Sequence, residues 1–513
     1  MDGMQVSRRH LLKGSAAAMA MGAIGSLGAL SSRQALAATE PVRLAPIPGP
    51  YGPLAPIADA TTGLPLLQLP PGFRYSSFAW SGDAMDDGQA CPDRHDGMAV
   101  LLANQGNGAG LARGRGQGHG PELVLIRNHE RGDTPHILAP AMYDTGTTHG
   151  QRAGGGTTTL RFRDGRWLGV EPSLGGTVVN CAGGRTPWGT WLSCEELRSN
   201  EVSTTGRRHG YVFEVHPDAT RTTGRPLVGL GRFSHEAVAI DPLTGFVYMT
   251  EDDRNKSGLY RFVPNDRSAR PGALENGGRL QAARVRGMPN ADLTVATIGT
   301  EFALEWVDIP DPDLDAMTVA GFPDASGALS GPFAQAWSEG ALRMSRGEGI
   351  FHANGKLVIV DTSTGRNAAG QKGRGYGAVW VLDLATQRMR ALFVSGDQAA
   401  AHNPDNITVS PRGGVLLCED PDAAPGNSPD AFGPGTRLVG LTRAGESYYF
   451  AKNNVALTTE QIAGAGKTIG AGDDRDSEWT GACWSPDGRW LFANIQTPGI
   501  TFAITGPWLH GSL

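Results

Sequence analysis

The sequence predicts an all-β fold, a six-bladed β-propeller with loop insertions, and three observations lead there. The chain carries 73 Gly and 34 Pro with only 7% aromatic residues, a composition that breaks apolar runs into short strands separated by turns. Pairs of such strands recur at roughly 40–50 residues, the period of a propeller blade. One kind of turn also repeats before a unit's main strand, in Asp241-Pro-Leu-Thr-Gly245, Ser410-Pro-Arg-Gly413 and Ser485-Pro-Asp-Gly488. Proline presets the φ of such a turn and glycine supplies its positive-φ position. A β-sandwich, or a pair of them, is the competing architecture.

Taken in order, residues 1–37 read as a Tat signal peptide. Ser7-Arg8-Arg9-His10-Leu11-Leu12-Lys13 leads into an Ala/Gly/Met/Leu run from Ser15 to Leu30 and a small-x-small site at Ala35-Leu36-Ala37, as in twin-arginine leaders. The run is too short and too rich in Ala and Gly to span a bilayer. Export by the Tat machinery to the periplasm or medium is therefore expected, without a stable membrane anchor, and as a monomer. Residues 38–70, rich in Pro, Ala and Leu, read as an extended arm over the surface, and 71–513 as one propeller domain. Its six units are Glu122–Arg163, Thr186–Val215, Glu236–Val263, Gly349–Leu384, Pro404–Leu441 and Thr480–Ile504, with an insert between Pro264 and Gly347 interrupting the spacing. The stretch Gly106 to Gly120 reads as a flexible glycine-rich loop.

Carboxylates cluster just after the units' main strands: Asn128-His129-Glu130, Cys194-Glu195-Glu196, Glu251-Asp252-Asp253, Asp361 and Cys418-Glu419-Asp420. In a propeller, equivalent loops converge on one mouth of the central channel. Acids gathered there repel one another and cannot all ionise without a cation. The net charge of −6 and the lack of a basic block argue against a nucleic-acid partner. Five cysteines are too few for a disulfide framework, and their odd number leaves at least one free.

The segment Asn180–Glu196, NCAGGRTPWGTWLSCEE, gives that free thiol a role, because it sets Cys181 near two adjacent acids. Thiolate favours transition metals, whereas clustered carboxylates favour calcium or iron. Two tempting motifs fail. Ser234-His235-Glu236 puts adjacent residues where a catalytic triad needs groups converging from separate places. Ala463-Gly464-Ala465-Gly466-Lys467-Thr468 lacks the first glycine of a P-loop, Gln461 standing there.

These motifs resemble the PhoX family of Tat-exported alkaline phosphatases. The resemblance is carried by RNHE (127–130), GGTTTLRF (155–162), the Cys181 block, GRFSHEAVAID (231–241), YMTEDD with LYRFVP (248–264) and RGEG (346–349). It continues through GRGYGAVWVLD (373–383), PDNITV with LLCED (404–420) and the tail SPDGRWLFANIQTPGITFAITGPW (485–508). It implies a channel-mouth site with two iron ions and calcium ions, hydrolysing phosphate monoesters of small molecules. By that resemblance Cys181, Glu196, Glu236 and Glu348 are the iron ligands, Arg346 contacts phosphate, and Arg346, Cys181 and Glu348 form the catalytic set. Asn128, Glu130, Glu251, Asp252, Asn406, Glu419 and Asp420 are calcium candidates by position. Strand alternation leaves Glu195 open against Glu196, since either could turn inward at the strand's end. Each of these residues also has a plainer reading, Cys181 as a core thiol, Arg346 as a surface arginine and the acids as solvated loops. A calcium-dependent lactonase or esterase on the same fold would need neither Cys181 nor Arg346. A non-enzymatic binding propeller would use calcium only to lock its blades.

Overall fold

The computed structural model describes residues 45–102, 120–132, 138, 141–324, 327–421, 434–442 and 446–513. The leader and nearly all of the glycine-rich stretch after Gly106 lie outside these residues.

Strand pairing gives five antiparallel sheets of three to nine strands and two two-stranded ribbons among the described residues, and six inner strands open the successive hairpin units within them. The inner strands are β1 (His95–Leu102), β2 (Asn180–Arg185), β3 (His235–Ile240), β4 (Gly347–Ala353), β5 (Pro404–Val409) and β6 (Trp479–Trp484). Each touches the next in sequence, and β6 returns to β1, so the six close a ring around a channel. Apolar side chains such as Leu357, Ile359, Trp380 and Leu382 alternate along the outer strands and fill the space between neighbouring sheets, the propeller packing expected of radially stacked sheets.

One feature departs from the sequence reading and a second fills it in. The expected surface arm is partly core: Leu66, Leu67 and Leu69 are fully buried, and strand Leu67–Leu69 pairs with Ser447–Asn453 at the edge of the fifth unit. Strand Arg74–Phe78 then pairs with Ile500–Thr505 and completes the sixth unit, so the N-terminal segment ties the end of the chain into the ring. The insert after Pro264 is also structured. Its strand Glu301–Ile309 pairs with Gly278–Val285 on one side and Arg388–Val394 on the other, joining the third and fourth units into one nine-stranded sheet. A helix, Gly331–Ser338, follows, capped by the Ser330 hydroxyl accepting from the Phe333 N–H.

The inner strands share a defect that builds the site. Each has a register shift against its partner right after its first residues, at His95/Met98, Asn180/Gly183, His235/Val238, Gly347/Ile350, Pro404/Ile407 and Thr480/Cys483. Bulges of this kind re-aim side chains at barrel rims and active sites. Close approach there demands glycine: a Cβ on Gly349 would sit 2.7 Å from Asp405 O, and one on Gly97 2.5 Å from Ala182 Cα.

Candidate metal centre

The bulge leaves the second residue of every inner strand at the axis: Asp96, Cys181, Glu236, Glu348, Asp405 and Thr480. A second ring comes from the partner strands. Their last residues pair with the first inner residue, as in Asn180↔Glu195, His235↔Glu251 and Pro404↔Glu419. The next residue folds over the mouth, its N–H donating to the carbonyl two positions before the inner axial residue. These bonds run Glu130→Arg94, Glu196→Val179, Asp252→Ser234, Thr362→Arg346, Asp420→Asn403 and Gln496→Glu478, at 2.8 to 3.2 Å.

Strand alternation therefore sorts each acidic pair into a structural and an axial member. Glu195 accepts from the Val178, Gly210 and Tyr211 N–H groups and faces His209 Nδ1 at 2.7 Å, which leaves Glu196 at the axis. Glu251 accepts from the Gly258 N–H at 3.0 Å and from the Tyr260 hydroxyl. Glu419 takes the His402 N–H and a fork from Arg437, at 2.6 and 2.7 Å. Asp361 accepts from the Ser345 and Arg346 N–H groups. Asn128 has both ends occupied: its amide donates to Cys181 O and Ala182 O, and its oxygen accepts from Trp191 Nε1 and Ser193 Oγ. Of the sequence candidates, then, Asn128 and Glu419 are committed to holding strands together, Glu251 keeps Oε1 buried without a hydrogen-bond partner, and Asn128, Glu130, Glu251, Asp252 and Glu419 lie outside the three metal-competent clusters. Asn406 also acts at one remove, its amide donating to Asp405 Oδ1 at 2.6 Å and its oxygen accepting from the Gly481 N–H.

What does converge among the described residues is a chain of three clusters, each with its ligand atoms within 4.8 Å of one another: Cys181, Glu196 and Glu236, then Glu236, Glu348 and Asp405, then Asp405, Asp420 and Glu478. Asp405 and Glu478, like nearby Asp96, escape the sequence reading. The signal for them is local: the axial inner residue is followed by a small or amide residue in Asp96-Gly97, Cys181-Ala182, Glu236-Ala237, Glu348-Gly349, Asp405-Asn406 and Thr480-Gly481. In the sixth unit Thr480 takes the axial place, and the acid, Glu478, moves two residues earlier.

The electrostatics are those of a site short of positive charge. Burial, then repulsion from Asp252 and Glu130, pushes the Glu196 carboxyl well up. Burial followed by Asp405, Glu348 and Glu196 does so for Glu236, and burial followed by Asp252 and Asp405 for Glu348. Burial and then Glu236 and Glu196 raise the Cys181 thiol. Glu130 and Asp405 are each pushed up to about 7, chiefly by burial. Asp252 is the exception: burial works against its charge, but Arg346, Glu196 and Arg254 together hold the carboxyl low. Arg346 Nε donates to Asp252 Oδ1 at 2.7 Å and its Nη2 to Oδ2, while the same Nη2 lies 3.3 Å from Glu348 Oε1. That contact lacks hydrogen-bond geometry, so Glu348 Oε1 is buried without a hydrogen-bond partner. A buried carboxylate oxygen without a partner, among mutually repelling acids and a thiol, fits the donor set of a metal site.

Comparisons with known proteins place the chain in a family. The family model described as alkaline phosphatase PhoX matches residues 49–173 and 169–499, and the twin-arginine translocation signal model matches residues 5–25. No curated protein matches the chain by sequence. Among solved structures, Pseudomonas fluorescens PhoX in complex with vanadate is 19% identical, with a TM-score of 0.60, covering 92% of this chain and 99% of its own. A Staphylococcus aureus virginiamycin B lyase is 9% identical at a TM-score of 0.33, covering 84% and 99%. A Xanthomonas campestris gluconolactonase is 12% identical at 0.27, covering 76% and 91%. The family match spans most of the sequence and the signal directs export, so this chain belongs to the PhoX family of alkaline phosphatases, metal-dependent phosphomonoesterases.

Proposed function

We propose that the protein hydrolyses phosphate monoesters of small molecules at a mixed iron and calcium centre in the channel mouth. The observation that carries this reading is the linked set of buried and half-buried acids with one thiol at its end, and Arg346 as the cation beside it. Cys181, Glu196, Glu236 and Glu348 would hold iron, the thiolate being the soft donor that calcium does not favour. Glu130, Asp405, Asp420 and Glu478, with Asp96 near them, would hold calcium through oxygen alone. When bound, the ions supply the positive charge that lets these groups ionise together, and Lewis acidity toward the phosphoryl group.

The chain's own residues do the rest. Arg346 presents a planar fork that matches phosphoryl oxygens and takes up the charge that grows on them. Asp252 holds that fork in place by its two bonds, and Asp361 fixes the Arg346 backbone through its N–H. Asn406 fixes Asp405, and Asn128 fixes the backbone of Cys181. Residues just after the axial ones, including Ala182, Ala237 and Ile350, wall a channel cavity of about 490 Å3, whose lining also carries Arg185, Thr186, His352 and Asn406.

The test is elemental analysis of protein purified without chelator, alongside hydrolysis of p-nitrophenyl phosphate with calcium at alkaline pH. Iron and calcium together with turnover support the reading. Calcium without iron or turnover defeats it and favours the lactonase or binding propeller.

A further inference from the structure

The six units give equivalent places to residues that the known chemistry does not use. Position by position, Arg94 stands where Arg346 stands. Each lies two residues before an axial acid, Asp96 or Glu348, and each lends its carbonyl to the N–H of the residue that folds over the mouth, Glu130 or Thr362. Because the inner strands close a ring in chain order, β1 and β4 face each other across the channel. The mouth therefore carries two arginines at one level on opposite sides.

Their engagements differ. Arg346 is bound along its Nε–Nη2 edge by both oxygens of Asp252 and its side chain is only 18% exposed. The Arg94 side chain is 55% exposed, and its ionic contact, Glu130 Oε2, lies at 3.7 Å, beyond hydrogen bonding. Glu130 Oε2 accepts instead from Gln496 Nε2 at 2.8 Å, so its attraction to Arg94 is ionic and leaves the guanidinium donors free. Other arginines near the mouth are committed: Arg131 to Asp93 at 2.6 Å, Arg198 to Asp253 and Arg254 to Ser363. Arg94 also holds a left-handed backbone, φ +49°, a conformation a side-chain-bearing residue adopts only where its surroundings impose it.

A guanidinium with free donors at a substrate mouth selects planar anions, carboxylate or phosphate, through its fork. We propose that Arg94 is a specificity residue that receives a second anionic group on the leaving alcohol, while Arg346 serves the phosphoryl group. The proposal rests on the phosphatase reading above. It places doubly anionic esters, such as phosphorylated hydroxy acids and bisphosphates, ahead of esters of neutral alcohols.

The matched probes are phosphoglycerate and glycerol phosphate, which share a skeleton and differ by a carboxylate. For wild type, Arg94→Ala and Arg94→Lys, kcat/KM is measured for each ester and binding of each by calorimetry. The preference of wild type for phosphoglycerate should fall by about tenfold or more in Arg94→Ala, the size of a lost charge-assisted contact, and only partly in Arg94→Lys. An unchanged ratio overturns the proposal. So does an equal loss for both esters, which puts Arg94 on the transferred group or on Glu130. If wild type hydrolyses neither ester, the phosphatase reading fails, and the binding ratio still decides Arg94.

Discussion

Replacing Glu419 by Gln separates the two kinds of acid that alternate at the strand ends. Glu419 and Arg437 are both buried, with side chains 1% and 0% exposed, and two guanidinium bonds join them at 2.6 and 2.7 Å. Removing one charge of such a pair leaves the other buried without compensation, at a cost of about 3–5 kcal/mol. A chain of this length loses on the order of 1 kcal/mol per degree at its midpoint, from about 2.1 cal/mol/K per residue. The variant should therefore melt about 3–5 °C lower by calorimetry. Its iron and calcium per chain should stay at the wild-type level, because Glu419 faces Arg437 and its neighbour Asp420 faces the metal-competent cluster. An unchanged melting temperature with lost calcium would refute this assignment of inward and outward acids.

Other consequences follow from the same geometry. Arg346→Ala should lower kcat for p-nitrophenyl phosphate by about 10²–10³-fold, the scale of one charge-stabilising donor, with metal content retained; a change confined to KM would argue against a role in the reacting state. Chelator-treated protein should lose stability as pH rises. Glu130 and Asp405 are pushed up to about 7 in the folded chain, above their unfolded values near about 4, so their contribution is full below the unfolded pKa and is lost as pH climbs through the folded one. Melting temperatures from pH 5 to pH 8 should decline without metal and recover with added calcium, and a rise with pH in the metal-free protein would contradict the charge balance.

The sequence made the repeat visible because its turns are written in proline and glycine and its second strands end in acid. It did not show the first unit's inner strand, His95–Leu102, since that strand is separated from its partner by the glycine-rich stretch, and with it Asp96 went unread. Asp405 sat beside the named Asn406, yet only the Pro404/Ile407 register shift shows which of the two reaches the axis. Choosing between Glu251 and Asp252, or Glu419 and Asp420, needed distant partners. Tyr260 and Arg437 claim one member of each pair, and no local pattern announces either. Likewise Leu67–Leu69 gave no strand signal among its prolines; it pairs with Ala55–Ile57 on one side and with Lys452 and Asn453, far along the chain, on the other.

The central claim is that one thiol and the axial carboxylates of neighbouring units form an iron site distinct from the oxygen-only calcium clusters. Iron and calcium per chain in Cys181→Ser, measured beside wild type, test it most directly. Wild type should carry both metals, and the variant should keep its calcium while its iron falls to background and its turnover with it. A variant that retains full iron and full activity would make Cys181 a core thiol and contradict the account.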